Sequence, residues 1–306
     1  MHTQEPRKSP MKIGLIGLGN IGVHFGTRLL AAGHELHVND RSAAAQERLV
    51  AKGAIAAADA KELASTVEIV LLCLPMPRVV ADVAAELAQG SKVRIVLDLS
   101  TTGPSVTKEV EALLKARNIA LVGAPVSGGT ANAEKGALAV MPAGPSQAYE
   151  EIEPLLRVIG NKIFYLGADP SLGQTMKIIN NTLYATSMIA SLETLVYGVK
   201  AGLDAKTMLD VINVSSGRSF ATLERIPQCV LDRSFPVRFT TELLHKDVKM
   251  CIDEAEKLGA PLMVSPAARQ FLAFAMTQGD GDKDNVFPIR HFEQWAGVQF
   301  GEKPAA

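Results

Sequence analysis

Several features that would place this chain in particular classes of protein are scarce or missing. Aromatic residues make up only 5% of the 306 residues, and 31 Lys and Arg nearly balance 32 Asp and Glu. A net charge of −1 argues against a nucleic-acid-binding protein, because neutralising phosphates requires a clustered excess of positive charge. No apolar run approaches the roughly 20 residues that a transmembrane helix needs. We therefore expect no nucleic-acid partner and no membrane partner.

Cysteine is also rare, with three residues far apart in the chain: Cys73, Cys229 and Cys251. An odd number of widely spaced cysteines indicates reduced thiols in the cytoplasm rather than a disulfide framework. Residues 1–10 are polar, contain two prolines and lack the apolar segment of a secretory signal. The sequence predicts a disordered lead-in at residues 1–10, a cytoplasmic location and no metal site.

Short apolar runs are abundant instead, and in the first half of the chain they alternate with helical patterns. The runs lie at residues 12–17, 35–39, 67–74, 93–99, 119–126, 138–143 and 163–166. Strands that alternate with helices are typical of βαβ units and a parallel sheet. After a break at residues 167–173, the spacing of apolar residues is helical almost to the end. The predicted fold class is therefore α/β, with a Rossmann-type parallel-sheet domain over residues 11–172 and an all-α domain over residues 173–306.

The second half predicts helices over residues 174–199, 205–213, 242–258 and 266–277. Asp204 is the expected N-cap of the helix over residues 205–213. One apolar stripe is predicted on the helix over residues 242–258, formed by Leu244, Val248, Cys251, Ala255 and Leu258. The helix over residues 174–199 is apolar on most sides, and a domain of this length has a limited core to cover it. We therefore expect a homodimer or a homotetramer.

The first predicted strand ends in a G-x-G-x-x-G turn made of Gly17, Leu18, Gly19, Asn20, Ile21 and Gly22. The motif is weak alone, but here it follows a strand, opens a helix and precedes an acid at the end of the second strand. Its first glycine allows a tight turn, its second lets a pyrophosphate approach, and its third lets helix and strand pack closely. The turn predicts dinucleotide binding. A glycine turn without a ligand and a methyltransferase with another adenosine cofactor are the alternatives.

Asp40, at the end of the second predicted strand, is the expected partner of the adenosine ribose. Its carboxylate would accept hydrogen bonds from the ribose hydroxyls and repel a 2′-phosphate, which favours NAD. Arg41 follows directly and could pair with such a phosphate, so NADP stays open. Because a carboxylate beside a phosphate is unfavourable, NAD is the preferred prediction.

Two further turns lie where a predicted strand meets a predicted helix, at residues 98–104 and 125–130. Ligands of open parallel sheets bind outside the carboxyl ends of the strands. Ser127, Gly128 and Gly129 offer a hydroxyl and uncovered backbone N–H groups, which suit a carboxylate. Ordinary turns capped by Ser and Thr are the alternative interpretation.

Lys177 stands among apolar residues near the start of the long helix, and Asn181 shares its helix face four residues on. A snorkelling surface lysine is the alternative. The helix begins where the chain leaves the nucleotide-binding domain, so its first turns should border the cleft. A lysine there could relay the proton of an alcohol while a hydride leaves for a nicotinamide.

Five short sequence motifs, taken together and in order, resemble the motifs of one protein family. They are GLGNIG (17–22), DLSTTGP (98–104), APVSGGTANAEKGAL (124–138), GQTMKIINN (173–181) and LHKD (244–247). In this order they resemble the β-hydroxyacid dehydrogenase family, which includes 3-hydroxyisobutyrate dehydrogenases and 2-hydroxy-3-oxopropionate reductases. The N-terminal part is also similar to the NAD-binding domain of 6-phosphogluconate dehydrogenase. The resemblance spans about residues 11–295.

The resemblance implies a fold, a reaction and a set of site residues. The reaction is hydride transfer between NAD(P) and a small 3-hydroxy acid or its semialdehyde. Implied cofactor-binding residues are the turn at residues 17–22, Asp40, Leu74, Pro75, Thr101 and Lys246. Implied substrate-binding residues are Ser127, Gly128, Gly129, Asn181 and Lys246, with Lys177 as the catalytic acid/base.

Some positions depart from the family pattern and leave the substrate and the cofactor open. The family usually has Asp where Gly123 stands and often has Gly where Asn132 stands. Two alternative functions are an imine reductase-like NADPH enzyme and a non-catalytic dinucleotide-binding protein. The first generally lacks the lysine at the position of Lys177, and the second would be expected to lose the lysine or the glycine turn.

Overall fold

A computed structural model describes residues 10–301, so the predicted lead-in at residues 1–10 lies outside the described residues except for Pro10. The chain divides into two compact units, of which the first ends at Lys177 and the second begins at Ile178. The sequence-based division lies between residues 172 and 173. The predicted fold class is confirmed, because a parallel sheet with helices is followed by a helical region.

The first unit contains a parallel sheet of six strands within the described residues, in the order β3-β2-β1-β4-β5-β6. The strands are β1 (Lys12–Ile16), β2 (Glu35–Asn39), β3 (Ile55–Ala56), β4 (Ile69–Leu72), β5 (Ile95–Asp98) and β6 (Ala120–Gly123). The strand order reverses between β1 and β4, which is the point where open α/β sheets bind ligands. A second sheet joins β7 (Val126–Ser127), β8 (Leu138–Val140) and β9 (Gly160–Ile163). In it β7 runs antiparallel to β8, and β8 runs parallel to β9.

Helices cover both faces of the six-stranded sheet, which explains why its strands are continuous apolar runs. They are α1 (Gly22–Ala31), α2 (Ala43–Val50), α3 (Ala60–Thr66), α4 (Pro77–Leu87), α5 (Pro104–Lys115), α6 (Gly129–Lys135) and α7 (Ser146–Ile159). Successive residues of β4 enter opposite cores, because strand side chains alternate. Ile69 and Leu71 pack in the core that contains residues of α1 and α7. Val70 and Leu72 pack in the core that contains residues of α3, α4 and α5.

The long helix α8 (Ser171–Lys200) contains the division between the two units. The second unit continues with α9 (Ala205–Asn213), a π-helical turn (Ala221–Arg225), α10 (Ile226–Cys229), α11 (Thr241–Lys257), α12 (Ser265–Thr277) and α13 (Ile289–Ala296). Its core joins apolar residues of these helices, among them Leu192, Leu209, Leu244, Val248, Leu272 and Ile289. Among residues 10–301, no helix has both the length and the apolar content to cross a membrane.

Three local predictions are corrected by the structure. The last strand of the first unit is Gly160–Ile163 rather than residues 163–166, because β9 pairs with β8 from Gly160 onward. The predicted break at residues 167–173 is shorter, since α8 already begins at Ser171. Leu258 is 83% exposed instead of completing an apolar stripe, because α11 ends at Lys257 and Leu258 is its C-cap.

The first turn of α8 lies against main-chain atoms at the end of the parallel sheet. A Cβ atom on Gly173 would lie 2.4 Å from the Met141 carbonyl oxygen and 2.6 Å from that of Gly123. A Cβ atom on Gly123 would in turn lie 2.4 Å from the Pro170 carbonyl oxygen. A side chain at either position would therefore require the main chain to shift.

We expect Gly173→Ala to destabilise the first unit by at least about 1 kcal/mol, because backbone oxygens cannot move aside as a flexible side chain can. Alanine favours a helix more than glycine by up to about 1 kcal/mol. The measured decrease in the free energy of unfolding is therefore the cost of the clash minus this gain in helix propensity. Urea unfolding followed by circular dichroism measures the change. Gly281→Ala is the matched control, since a Cβ there has no described heavy atom within 4 Å. Equal stability of Gly173→Ala and the parent would contradict the packing argument.

Candidate functional site

The glycine turn between β1 and α1 has the three properties that a dinucleotide requires. Gly17 has a φ of +93°, and a Cβ on it would lie 2.2 Å from the Cys73 carbonyl oxygen. A Cβ on Gly22 would lie 1.9 Å from the Gly17 carbonyl oxygen, so helix and turn touch through main-chain atoms. Gly19 is exposed, and a Cβ on it would meet no described heavy atom within 4 Å. Space is therefore open beside Gly19, where a pyrophosphate would approach the backbone.

Asp40 lies at the end of β2 and is hydrogen-bonded to the glycine turn. The Leu18 N–H donates to Asp40 Oδ2 at 2.6 Å, and the Ser42 N–H donates to Asp40 Oδ1 at 2.8 Å. A carboxylate has about four acceptor positions, so two remain for a further donor such as a ribose hydroxyl. Ser42 in turn caps α2 by accepting from the Ala45 N–H. Arg41, between them, is exposed.

The segment after β4 contacts the segment after β5. The Leu74 N–H donates to Ser100 Oγ at 2.9 Å, and Ser100 is 5% exposed. Cys73 precedes Leu74, and burial, with the nearby Asp98 charge, raises the pKa of its thiol to about 12. Cys73 is therefore a neutral thiol at physiological pH, and its backbone supports the glycine turn.

The segment after β5, Ser100–Gly103, is held by two buried polar side chains. Asp98 accepts from the Ser100 N–H at 2.9 Å and from Thr102 Oγ1 at 2.5 Å. Gln174 of α8 accepts from the Thr102 N–H at 2.9 Å. Thr101, the residue predicted to lie near the nicotinamide, is therefore carried by a segment that is fixed on both of its sides.

The predicted carboxylate clasp lies between β7 and α6. Gly128 has a φ of +133° and Gly129 a φ of +72°, and both residues are exposed. A Cβ on Gly129 would meet no described heavy atom within 4 Å. The Asn132 side-chain amide donates to the Gly128 carbonyl oxygen at 2.9 Å, so this departure from the family pattern stabilises the turn. The turn exposes its backbone while Ser127 remains half-buried beside it.

Lys177 is the last residue of the first unit and is 9% exposed. It follows Gly173 by one helical turn, and Gly173 packs on the sheet end. A position this buried is not that of a snorkelling surface lysine. Lys177 is thus buried one helical turn beyond a residue that contacts the end of β6.

Asn181 and Lys246 are brought together in the second unit by Asp247. The Asn181 amide donates to Asp247 Oδ2 at 2.6 Å, and the Lys246 ammonium lies 3.1 Å from Asp247 Oδ1. Asp247 is 2% exposed and Asn181 is 6% exposed, so their hydrogen bond is buried, whereas the Lys246 side chain is 16% exposed. A neighbouring amide, that of Asn180, donates to Asn181 Oδ1 at 3.1 Å. The amide of Asn181 is thereby oriented, with one N–H left over for another acceptor.

Four polar residues of the sequence motifs had no predicted role: Asp98, Ser100, Gln174 and Asp247. A signal was present for two of them, because a carboxylate that ends an apolar strand and an amide in an apolar helix both need buried partners. The partners of Gln174 lie 71 to 76 residues away along the chain, and Asp247 lies 66 residues from Asn181. Within residues 10–301 no group of three or more His, Cys, Asp or Glu could hold a metal ion.

Two family models match the two parts of the chain. A family model described as the NAD binding domain of 6-phosphogluconate dehydrogenase matches residues 12–167. A second model, described as NAD-binding of NADP-dependent 3-hydroxyisobutyrate dehydrogenase, matches residues 171–292.

Individual relatives match over nearly the whole chain. 2-(Hydroxymethyl)glutarate dehydrogenase of Eubacterium barkeri is 33% identical over 292 residues, covering 94% of this chain and 97% of the relative. NAD-dependent L-serine dehydrogenase of Pseudomonas aeruginosa is 32% identical and covers 89% of this chain and 95% of the relative. Among solved structures, 3-hydroxyisobutyrate dehydrogenase of Mycobacterium tuberculosis with L-serine has a TM-score of 0.86 at 28% identity, covering 92% of this chain and 99% of that one.

We expect Gly19→Ala to weaken NADH binding about tenfold or more while leaving the melting temperature near that of the parent. The added methyl group meets no described atom of the protein, but it occupies the space beside the turn that a pyrophosphate needs. Titration of NADH fluorescence measures the affinity, and thermal unfolding tests the fold. Gly281→Ala, which also adds a methyl group to open space, should change neither quantity. Unchanged NADH affinity in Gly19→Ala would argue against this turn as the pyrophosphate site.

Proposed function

The chain belongs to the β-hydroxyacid dehydrogenase family, and from this premise we propose that it transfers a hydride between NAD(P) and a small 3-hydroxy acid or its semialdehyde, with Lys177 as general acid/base. The observation that carries the proposal is the burial of Lys177 one turn after the point where α8 packs on the sheet end. A lysine that is 9% exposed is largely shielded from bulk water, as a proton-relaying amine requires.

In the proposed mechanism the chain binds and orients the substrate and transfers one proton. NAD(P) supplies the hydride acceptor when it is bound. The N–H groups of Gly128 and Gly129, with the Ser127 hydroxyl, bind the substrate carboxylate. Asn181, whose amide is oriented by Asp247, is proposed to donate its remaining N–H to the substrate, and Lys246, which is ion-paired with Asp247, is proposed as a further substrate-binding residue. Lys177 Nζ takes the hydroxyl proton as the alcohol is oxidised, and it returns the proton when an aldehyde is reduced.

The substrate that we propose has a primary alcohol on the carbon next to the one that bears the carboxylate. 2-(Hydroxymethyl)glutarate, 3-hydroxyisobutyrate and L-serine, which the names of similar proteins contain, all share this unit and differ in the third substituent. A backbone clasp at Gly128 and Gly129 fits the shared carboxylate, because N–H groups recognise it without reference to the rest of the molecule. Glycerate carries the same unit.

We propose NAD rather than NADP as the preferred cofactor. The support is Asp40, whose carboxylate is held in place by the Leu18 and Ser42 N–H groups and therefore cannot easily turn away from a 2′-phosphate. Arg41 beside it is the feature that favours NADP. The cytoplasmic location expected from the cysteine pattern stays a prediction.

The proposed function is tested with a panel of 3-hydroxyisobutyrate, 2-(hydroxymethyl)glutarate, L-serine and glycerate, each with NAD and with NADP. We expect reduction of the cofactor with at least one acid, with a higher kcat/KM for NAD. Lys177→Met should lower kcat by about 10²- to 10⁴-fold, because the proton acceptor is lost, while NADH affinity changes little. Lys200→Met, at the exposed end of the same helix, is the control and should keep the parent kcat. Activity of Lys177→Met equal to that of the parent would refute the assigned role.

We also propose a homodimer or homotetramer, with the outer face of α8 covered by a second copy. Ile179, Leu183 and Tyr197 lie 4 and 14 residues apart and share one helix face. Leu183 is 67% exposed and Tyr197 is 72% exposed in the single chain. Light scattering should give the mass of two or four chains, and Leu183→Glu should shift it towards one chain, because a charge cannot be buried at low cost in an apolar contact. A parent protein with the mass of one chain would refute this.

A further inference from the structure

Gln174 is a fully buried side chain of the first unit that has no part in the proposed binding of cofactor or substrate, and yet it makes four hydrogen bonds. Gln174 is 0% exposed. Its Oε1 accepts from the Thr102 N–H at 2.9 Å and from the Gly103 N–H at 3.3 Å. Its Nε2 donates to the Ser100 carbonyl oxygen at 3.0 Å and to Asp98 Oδ2 at 3.4 Å. One amide thus serves both edges of the Ser100–Gly103 segment.

The chemistry of these contacts requires an amide. An apolar side chain of similar length would leave the Thr102 and Gly103 N–H groups without their partner in a dry environment, which is unfavourable. A carboxylate could accept from both N–H groups, but it would face the Asp98 carboxylate and the Ser100 carbonyl oxygen without a proton to donate. Only a group with both an acceptor and two donors satisfies all four partners.

The position of Gln174 links two parts of the proposed site. It lies three residues before Lys177 on α8, so the two side chains are neighbours along the helix. Its other end holds the segment that carries Thr101, and through Ser100 Oγ that segment holds the Leu74 N–H. The buried Asp98 carboxylate ties the same segment to the end of β5. A movement of the Thr101 segment relative to the lysine helix must therefore break hydrogen bonds of Gln174.

We propose that Gln174 is a positioning residue, which fixes the Ser100–Gly103 segment against α8 and so sets the placement of Lys177 relative to the nicotinamide end of the cofactor. This inference rests on the proposed function of Lys177 and Thr101. Gln174 touches neither substrate nor cofactor in this account, and it acts through the groups that do. Because a misplacement of about 1 Å can cost on the order of 100-fold in rate, the effect should appear in kcat rather than in binding.

The test compares Gln174→Met with Thr107→Val. Thr107 Oγ1 donates to the Gly103 carbonyl oxygen at 2.8 Å, so its loss removes a buried hydrogen bond of the same segment without touching Gln174. With the best acid from the panel, we expect Gln174→Met to lower kcat about 100-fold, with KM and NADH affinity changed less than about threefold. Thr107→Val should lower the melting temperature and keep the parent kcat.

Two additional measurements keep the result decisive. Hydrogen exchange at the Thr102 and Gly103 amides should quicken in Gln174→Met and report directly whether the segment has been released. On a Lys177→Met background, Gln174→Met should cause little further loss, because a residue that acts through Lys177 has nothing left to position. If Gln174→Met fails to fold, Gln174→Glu replaces it. Its kcat relative to the parent should rise as the pH falls, since a protonated carboxyl regains one donor towards Asp98 or Ser100.

The possible failures are distinguishable. Faster amide exchange with an unchanged kcat would overturn the positioning role while leaving the function of Lys177 intact. Equal losses from Gln174→Met on the parent and on the Lys177→Met background would assign Gln174 a purely structural role and would also overturn the proposal. Parent-like activity of Lys177→Met alone would instead overturn the proposed function on which the inference rests.

Discussion

Contact between bare main-chain atoms determines where the lysine-bearing helix starts. Gly173 lies on the carbonyl oxygens of Met141 and Gly123, and Gly123 lies under the carbonyl oxygen of Pro170. No side chain separates the helix from the sheet at this point, so the first turn of α8 has little freedom to slide or tilt. The burial of Lys177 and the hydrogen bonds of Gln174 both follow from this close approach.

Several polar groups lie at the carboxyl ends of the strands, because all strands of a parallel sheet end on the same side. The glycine turn follows β1, Asp40 follows β2, the Leu74 bend follows β4, and the Ser100–Gly103 segment follows β5. These segments are joined to one another by hydrogen bonds of Asp40 to Leu18 and of Ser100 to Leu74. The hydrogen bonds thus fix these loops in two pairs, one after β1 and β2 and the other after β4 and β5.

The fold was largely readable from the sequence where a pattern is local. Apolar runs predicted β1, β2, β4 and β5, and Asp204 caps α9 as its position indicated. The pairing of strands was harder, because a short apolar run does not reveal its partner. Residues 138–143 therefore gave no sign that β8 belongs to a separate mixed sheet. Strand β3 consists of two exposed residues, which is too short for a recognisable strand pattern.

In the candidate site, too, features formed by residues adjacent in sequence could be predicted, whereas contacts between residues far apart in sequence could not. The glycine motif and the Lys177 block could be recognised because their members are adjacent in sequence. The contacts that organise them could not, since Gln174 meets Thr102 and Asn181 meets Asp247 only after folding. Spacing cannot predict a hydrogen bond between residues whose separation is set by the whole architecture. The candidate site residues were therefore easier to predict than the residues that hydrogen-bond to the segments around them.

The double attachment of Asp40 has a consequence for any attempt to exchange one dinucleotide for the other. The carboxylate that would discriminate against a 2′-phosphate is also the acceptor for the Leu18 N–H inside the glycine turn. In the proposed site, cofactor preference and the shape of the turn would thus depend on the same side chain. A redesign that removes its negative charge would have to supply another acceptor at the same place, because without one the proposed pyrophosphate-binding turn would deform and bind both dinucleotides less well.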